Sequence, residues 1–257
     1  MQLAYETQGA GSPLLILHGL FGSARNWTAV AKHLADSYRV YHVDLRNHGN
    51  SPHADSMTYD EMAADVRGFI LEQGLTGAAI VGHSMGGKTA MTLALRHADL
   101  IGPLAVVDIA PTAYQPHHAE LIAAMQATDL SGLQRRAEAD ARLAQRIADA
   151  GLRAFLGLSL MPAGSGFSWQ FNLPAIAANL GALSGFPEFE PGETFAGATL
   201  FVIGALSNYV RPQHHATIHA RFPKAEIAAI AGASHWVHAE QRDAFVARLR
   251  EFLQSAR

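Results

Sequence analysis

The sequence predicts an α/β protein: a mostly parallel sheet of seven or eight strands, helices on both faces, and a helical insertion late in the chain. Three observations carry this. Short apolar runs such as Leu14-Leu15-Ile16-Leu17 alternate with helix-length amphipathic segments, the rhythm of a sheet covered on both sides. One run, Ala78-Ala79-Ile80-Val81, ends in Gly82-His83-Ser84-Met85-Gly86, whose small residues fit a sharp strand-to-helix turn. The alternation lapses from residue 112 to 196 and then resumes.

Leu3 to Glu6 reads as an edge strand, and Gly9-Ala10-Gly11-Ser12-Pro13 as a turn. The buried strand Leu14–Leu17 runs into His18-Gly19-Leu20-Phe21-Gly22-Ser23, where Ser23 is placed to cap a helix through Trp27, Val30, Ala31 and Leu34. Arg39 to Val43 is the next strand, followed by the polar loop Asp44 to Pro52. Thr58 and Glu61 form a capping-box pattern ahead of a helix with Met62, Val66, Phe69 and Ile70 on one side. After the turn at Ser84 a helix is expected through Leu95, then a strand over Pro103–Val107 ending in Asp108-Ile109-Ala110-Pro111.

Residues 112–196 carry helical patterns at Leu121–Met125, Leu133–Ile147, Leu152–Leu160 and Ile176–Leu183, with a break at Gly164-Ser165-Gly166 and with His117 and His118 near the start. So long an excursion between two sheet strands reads as a cap over the loops. Residues 1–111 and 197–257 then form the core. Its last strands are Thr199–Ile203 and Glu226–Ile230, and a closing helix carries Phe245, Val246, Leu249 and Phe252.

Composition narrows the function. The 257 residues are 49% hydrophobic and 16% charged, with a formal net charge of -3, which offers no basic surface for nucleic acid or for an anionic membrane. There is no cysteine, which excludes disulfides and thiol catalysis. The N-terminus lacks the basic start and apolar core of a signal peptide, and no apolar run approaches the ~20 residues that span a bilayer. A cytoplasmic monomer or homodimer without metal or cofactor is the expectation. His215 and His219 have the i,i+4 spacing of metal ligands but no third ligand nearby, so they read as a solvated helix face. Lys88-Thr89 after two glycines faintly resembles a phosphate loop; nucleotide binding is rejected on the spacing back to Gly82.

The remaining chemistry centres on Ser84. A serine at such a turn exposes its hydroxyl beside a helix N-terminus, which favours developing negative charge. A neutral serine needs a base, and the base an orienting carboxylate. In open parallel sheets such groups meet beyond the carboxyl ends of the strands. His235, after the last strand, is the expected base. Asp108, ending the strand after the Ser84 strand, is the expected acid, with Asp44 as the rival; Asp44, Arg46 and Gly49 read instead as a loop-bracing set. The loop Gly204–Val210 has no carboxylate but carries Ser207, placed to hydrogen-bond Asp108 or His235. Oxyanion donors are expected from the amide of Met85 and from that of Leu20 or Phe21. Phe21, Trp169, Phe171 and Trp236 are expected to line an apolar substrate pocket.

These residues give the chain its resemblance to the α/β-hydrolase superfamily. More narrowly it is similar to the YbfF-type bacterial esterases and their ABHD-eleven relatives, through His18-Gly19-Leu20-Phe21-Gly22-Ser23, Asp44-Leu45-Arg46-Asn47-His48-Gly49, Gly82-His83-Ser84-Met85-Gly86-Gly87-Lys88 and Val107-Asp108-Ile109-Ala110-Pro111. The resemblance implies an α/β-hydrolase fold and hydrolysis of short- to medium-chain acyl or aryl esters through an acyl-enzyme. It also implies an acid after the strand that follows the nucleophile, and a serine in the later loop. An acyl-thioesterase, a carbon–carbon bond hydrolase, a perhydrolase and an acyltransferase keep the same three residues and stay open. A non-catalytic binding protein on the same scaffold is the reading from another class.

Overall fold

A computed structural model describes residues 1–116 and 118–256; His117, noted above, lies outside them. Strands β1 (Tyr5–Gln8), β2 (Ser12–Leu17), β3 (Tyr38–Val43), β4 (Ala78–His83), β5 (Ile101–Val107), β8 (Thr199–Gly204) and β9 (Ala225–Ile230) form one sheet in the order β1-β3-β2-β4-β5-β8-β9. Only the β1–β3 pair is antiparallel. The sheet therefore has seven strands, the lower of the two expected numbers.

Alternate residues of each strand supply opposite cores, as a period of two requires. Leu15, Leu17, Ile80, Leu104, Val106 and Phe201 face one side. Leu14, Ile16, Val81, Ala105, Val107, Leu200 and Val202 face the other. Helices α2 (Tyr59–Gln73) and α3 (Met85–Arg96) cover the first side with Met62, Val66, Phe69, Met91 and Leu93. Helix α1 (Thr28–Leu34) covers the second with Val30, Ala31 and Leu34. The capping box at α2 forms as expected: the Glu61 amide donates to Thr58 Oγ1 at 3.3 Å and the Thr58 amide to Glu61 Oε2 at 2.9 Å.

The segment between β5 and β8 is not wholly helical. It holds α4 (Ala119–Gln126), α5 (Arg136–Leu143), α6 (Ala150–Gly157), α7 (Leu173–Ala178) and α8 (Leu180–Ser184). Between α6 and α7 runs an antiparallel hairpin of β6 (Leu160–Ala163) and β7 (Gly166–Trp169). Gly164-Ser165 is its turn, with Gly164 at φ 55, so the glycines read as a helix break mark a reversal of strand. The segment packs onto the first core through Ile122, Met125, Leu156, Ile176 and Leu183. After β8 come α9 (His215–Arg221), the single turn α10 (Val237–Glu240) and α11 (Arg242–Ser255). Phe245, Leu249 and Phe252 of α11 complete the second core. No helix among the described residues is long and apolar enough to cross a membrane.

Register is what places the site. Leu17 pairs with Gly82, His83 with Val107, Val107 with Val202 and Gly204 with Ile230. Five parallel strands thus end at one rim, and the loops after them carry Leu20, Ser84, Asp108, Ser207 and His235.

Candidate active site

Ser84 sits between β4 and α3 at φ 51, ψ -114, a conformation costing a non-glycine residue about 1–3 kcal/mol. The turn closes because Ser84 N–H donates to Val107 O at 3.0 Å and Lys88 N–H to Ser84 O at 3.0 Å. Two glycines make room for it. A Cβ on Gly82 would stand 2.3 Å from Gly86 O, and one on Gly86 2.4 Å from Leu17 O.

Asp108 also has positive φ, 51, which turns its wholly buried carboxylate along the rim. Oδ1 accepts the Gly204 amide at 3.1 Å. Oδ2 accepts the Ser207 hydroxyl at 2.5 Å and His235 Nδ1–H at 2.8 Å. With Nδ1 donating, neutral His235 carries its lone pair on Nε2, the atom that takes a proton from a serine. The Ser84 hydroxyl makes no hydrogen bond to His235 here; such contacts commonly tighten only with substrate present. His83, adjacent to Ser84, donates Nε2–H to the His235 carbonyl at 2.9 Å and so ties the two loops together. Burial, aided by His235 and His238, holds His83 well below the usual histidine range. A lowered pKa makes it the weaker proton acceptor, and its Nε2–H is committed to that carbonyl.

The structure brings Asp108, His235 and Ser207 together as expected and leaves Asp44 out. Asp44 Oδ1 accepts the Ala24 amide at 2.7 Å and Oδ2 the Asn50 amide at 2.9 Å. Arg46 pairs with Asp65 at 2.6 Å and Glu61 at 3.3 Å. These residues brace a loop.

The choice between Leu20 and Phe21 as amide donor is narrowed by His48. The Phe21 amide donates to His48 Nε2 at 3.2 Å, while His48 Nδ1–H donates to Arg46 O at 3.0 Å. Phe21 N–H is thereby engaged, which removes it as an oxyanion donor. Among the described residues, the amides of Leu20 and Met85 have no protein acceptor.

The pocket differs from the expected one. Leu20, Ser84, Met85, Tyr59, Lys88, Ile109, Tyr114, Leu180, Leu183 and Tyr209 are among the residues lining the cavity over the serine. Phe21, Trp169, Phe171 and Trp236 are not. Phe171 is buried, with its ring 5.2 Å from both Phe21 and Trp169; these three fasten the 112–196 segment to the core. Trp236 packs on Phe155 at 5.7 Å and lies 6.1 Å from the His235 ring. Aromatic character alone cannot distinguish a pocket wall from a packed interface.

The phosphate-loop question also resolves differently. Gly82, Gly87, Lys88 and Thr89 do meet the Gly-x4-Gly-Lys-Thr spacing, so spacing does not exclude it. Backbone geometry does: α3 is regular from Met85, leaving no open loop of amides around a phosphate. Lys88 donates to the Ser184 carbonyl at 3.2 Å and to that of Gly185.

Sequence reading missed Tyr209. Its ring stacks on the His235 imidazole with centroids 4.0 Å apart and planes 25° apart. Its amide donates to Ser207 Oγ at 3.2 Å. One loop therefore holds the acid through Ser207 and the imidazole through Tyr209.

Fold and rim together define a serine-hydrolase scaffold, and the chain belongs to the alpha/beta hydrolase fold family, whose model matches residues 12–241. Among its relatives is the mouse sn-1-specific diacylglycerol lipase ABHD11, 41% identical over 248 residues, covering 93% of this chain and 80% of that one. Esterase YbfF of Escherichia coli is 36% identical over 249 residues, covering 96% and 95%. A solved structure described as a marine microorganism esterase superposes with a TM-score of 0.94 at 38% identity, covering 98% of this chain and 99% of that chain.

Proposed function

We propose that the protein is a serine carboxylesterase that hydrolyses short- to medium-chain acyl or aryl esters of small molecules through an acyl-enzyme. The observation that carries this reading is the His235 Nδ1–Asp108 Oδ2 hydrogen bond of 2.8 Å beside a serine held at φ 51. In this mechanism His235 Nε2 takes the Ser84 proton as Oγ attacks the ester carbonyl. The amides of Leu20 and Met85 receive the oxyanion, each such donor being worth about 3–4 kcal/mol in the transition state. His235 then protonates the leaving alkoxide and activates water against the acyl-enzyme, while Asp108 keeps the tautomer and stabilises the imidazolium. Ser207 holds the carboxylate in line. The segment 112–196 acts as a cap that closes the cavity from above. The names of the relatives, esterase and lipase, support the same bond type.

The experiment is Ser84→Ala with 4-nitrophenyl butyrate, together with fluorophosphonate labelling of the wild type. Expected are stoichiometric labelling at Ser84, loss of turnover in the variant and an unchanged thermal midpoint. Undiminished turnover in a folded Ser84→Ala protein would end the proposal.

A further inference from the structure

The mechanism above makes no use of the cation buried beneath the cap. Lys88 lies in the first turn of α3, whose N-cap is Ser84. Both line the same cavity, and Lys88 is only 2% exposed. Its ammonium donates to the carbonyls of Ser184 and Gly185. It also lies 4.8 Å from the ring centre of Tyr114 and 5.4 Å from that of Tyr59. Among the described residues no carboxylate pairs with it. Carbonyl dipoles and ring faces supply partial negative charge, whereas a buried ammonium calls for a full countercharge. Burial alone lowers its pKa to about 7. The reacting serine and a lysine with no anion to hold its charged form thus share one cavity.

We propose that Lys88 recognises an acyl chain ending in a carboxylate, so that the preferred substrates are half-esters of short dicarboxylic acids. This rests on the esterase reading and names its substrate class. An acyl carbon on Ser84 Oγ, extended by a two- or three-carbon chain, carries a terminal carboxylate into the cavity that Lys88 also lines. The carboxylate holds Lys88 in its charged form and pairs with it, while a neutral chain of equal shape offers it no ion pair. The reaction is unaltered: the Oγ–acyl bond forms, the alkoxide leaves with the proton His235 took, and water cleaves the acyl-enzyme. The distal carboxylate is untouched.

The test compares ethyl hydrogen succinate with ethyl 4-methylpentanoate, its neutral near-isostere, by pH-stat on the whole chain. Expected is a wild-type kcat/KM at least about tenfold higher for the half-ester, since a site built around a polar partner discriminates strongly against an analogue lacking it. Lys88→Met should cut that ratio about tenfold, mainly through KM, and Lys88→Arg should keep most of it. An equal fall for both esters in Lys88→Met, leaving the ratio intact, would make Lys88 a cap fastening only and overturn the proposal. A second measurement needs no variant. Succinate should inhibit wild-type hydrolysis of 4-nitrophenyl acetate more tightly than the neutral 4-methylpentanamide does, and equal inhibition also overturns the proposal. A wild type that cleaves the neutral ester in preference to the half-ester refutes this inference alone. One that cleaves no ester refutes the esterase reading beneath it.

Discussion

Replacing Asp108 by asparagine tests the rim most directly, because hydrogen-bond accounting fixes the outcome. The carboxylate serves three donors: Gly204 N–H on Oδ1, and the Ser207 hydroxyl and His235 Nδ1–H on Oδ2. An amide offers one oxygen and one NH2. With oxygen at the Oδ2 position, NH2 would face the Gly204 amide across 3.1 Å, donor against donor, and a backbone N–H at a strand end cannot turn away. With oxygen at Oδ1, NH2 faces Ser207 and His235. The hydroxyl rotates to accept. The imidazole accepts only by moving its proton to Nε2, which leaves no lone pair for the Ser84 proton. The imidazolium formed in the transition state also loses its anion. Wrong-tautomer substitutions of this kind cost about 10⁴ in kcat, or roughly 5.5 kcal/mol. Steady-state hydrolysis of 4-nitrophenyl butyrate should show that loss with KM little changed, and circular dichroism should show a folded chain. A folded Asp108→Asn protein within about tenfold of wild type would refute the tautomer reasoning and return the acid's role to another carboxylate.

Two predictions concern stability. Gly86→Ala places a Cβ 2.4 Å from Leu17 O and 2.6 Å from His18 O, both backbone; overpacking of this kind costs about 1–3 kcal/mol, read as a fall in the urea midpoint. Gly68→Ala, inside α2 with nothing within 4 Å of the new methyl, should stabilise the fold by about 0.5–1 kcal/mol, read as a rise in the same midpoint. Separately, burial lowers His18 to about 4 and His48 and His238 to about 3, from 6.5. The unfolded chain binds these protons first as pH falls, so stability is full above 6.5 and declines toward 4. Each histidine contributes up to about 1.4 kcal/mol per pH unit across that window. Denaturant titrations at stepped pH should show the decline, and a flat profile between 6.5 and 4 would contradict the buried neutral rings.

What could be read from the sequence was whatever strand order and strand ends decide. Apolar runs located the parallel strands, and parallel strands must end at one rim. Ser84, Asp108 and His235 could therefore be gathered from positions far apart in the chain, and Ser207 from its place after β8. Properties set by how the 112–196 segment lies on the core were not legible. Phe171 and Trp169 look like pocket walls in sequence and prove to be packing. Tyr114 and Tyr59 look like ordinary aromatics and prove to border the cavity. The hairpin around Gly164 looks like a helix break in sequence because four-residue strands are too short to show a period. Tyr209 escaped because a stack on His235 depends on the path of a loop, which composition does not encode.

Backbone strain gives an independent view of the same rim. Among the described residues, the non-glycine residues with positive φ are Phe21, Asn47, Ser84 and Asp108. Ser84 and Asp108 sit at ends of adjacent parallel strands, and each strained turn aims a side chain across the rim. Phe21 uses its turn differently. At φ 63 its amide reaches His48, whose other nitrogen is fixed on Arg46 O, and its carbonyl accepts the Ser159 hydroxyl at 2.9 Å. The residue after Leu20 is thus held on both sides, by the Asp44–Asn50 loop and by the 112–196 segment. Asn47, at φ 66, accepts the Asn172 amide on its carbonyl at 2.8 Å and so ties that same loop to the segment. Strain at Phe21 and Asn47 therefore accompanies the anchoring of the chain directly after Leu20. In the proposed mechanism, where the Leu20 amide receives the oxyanion, such anchoring lowers the reorganisation left for the transition state.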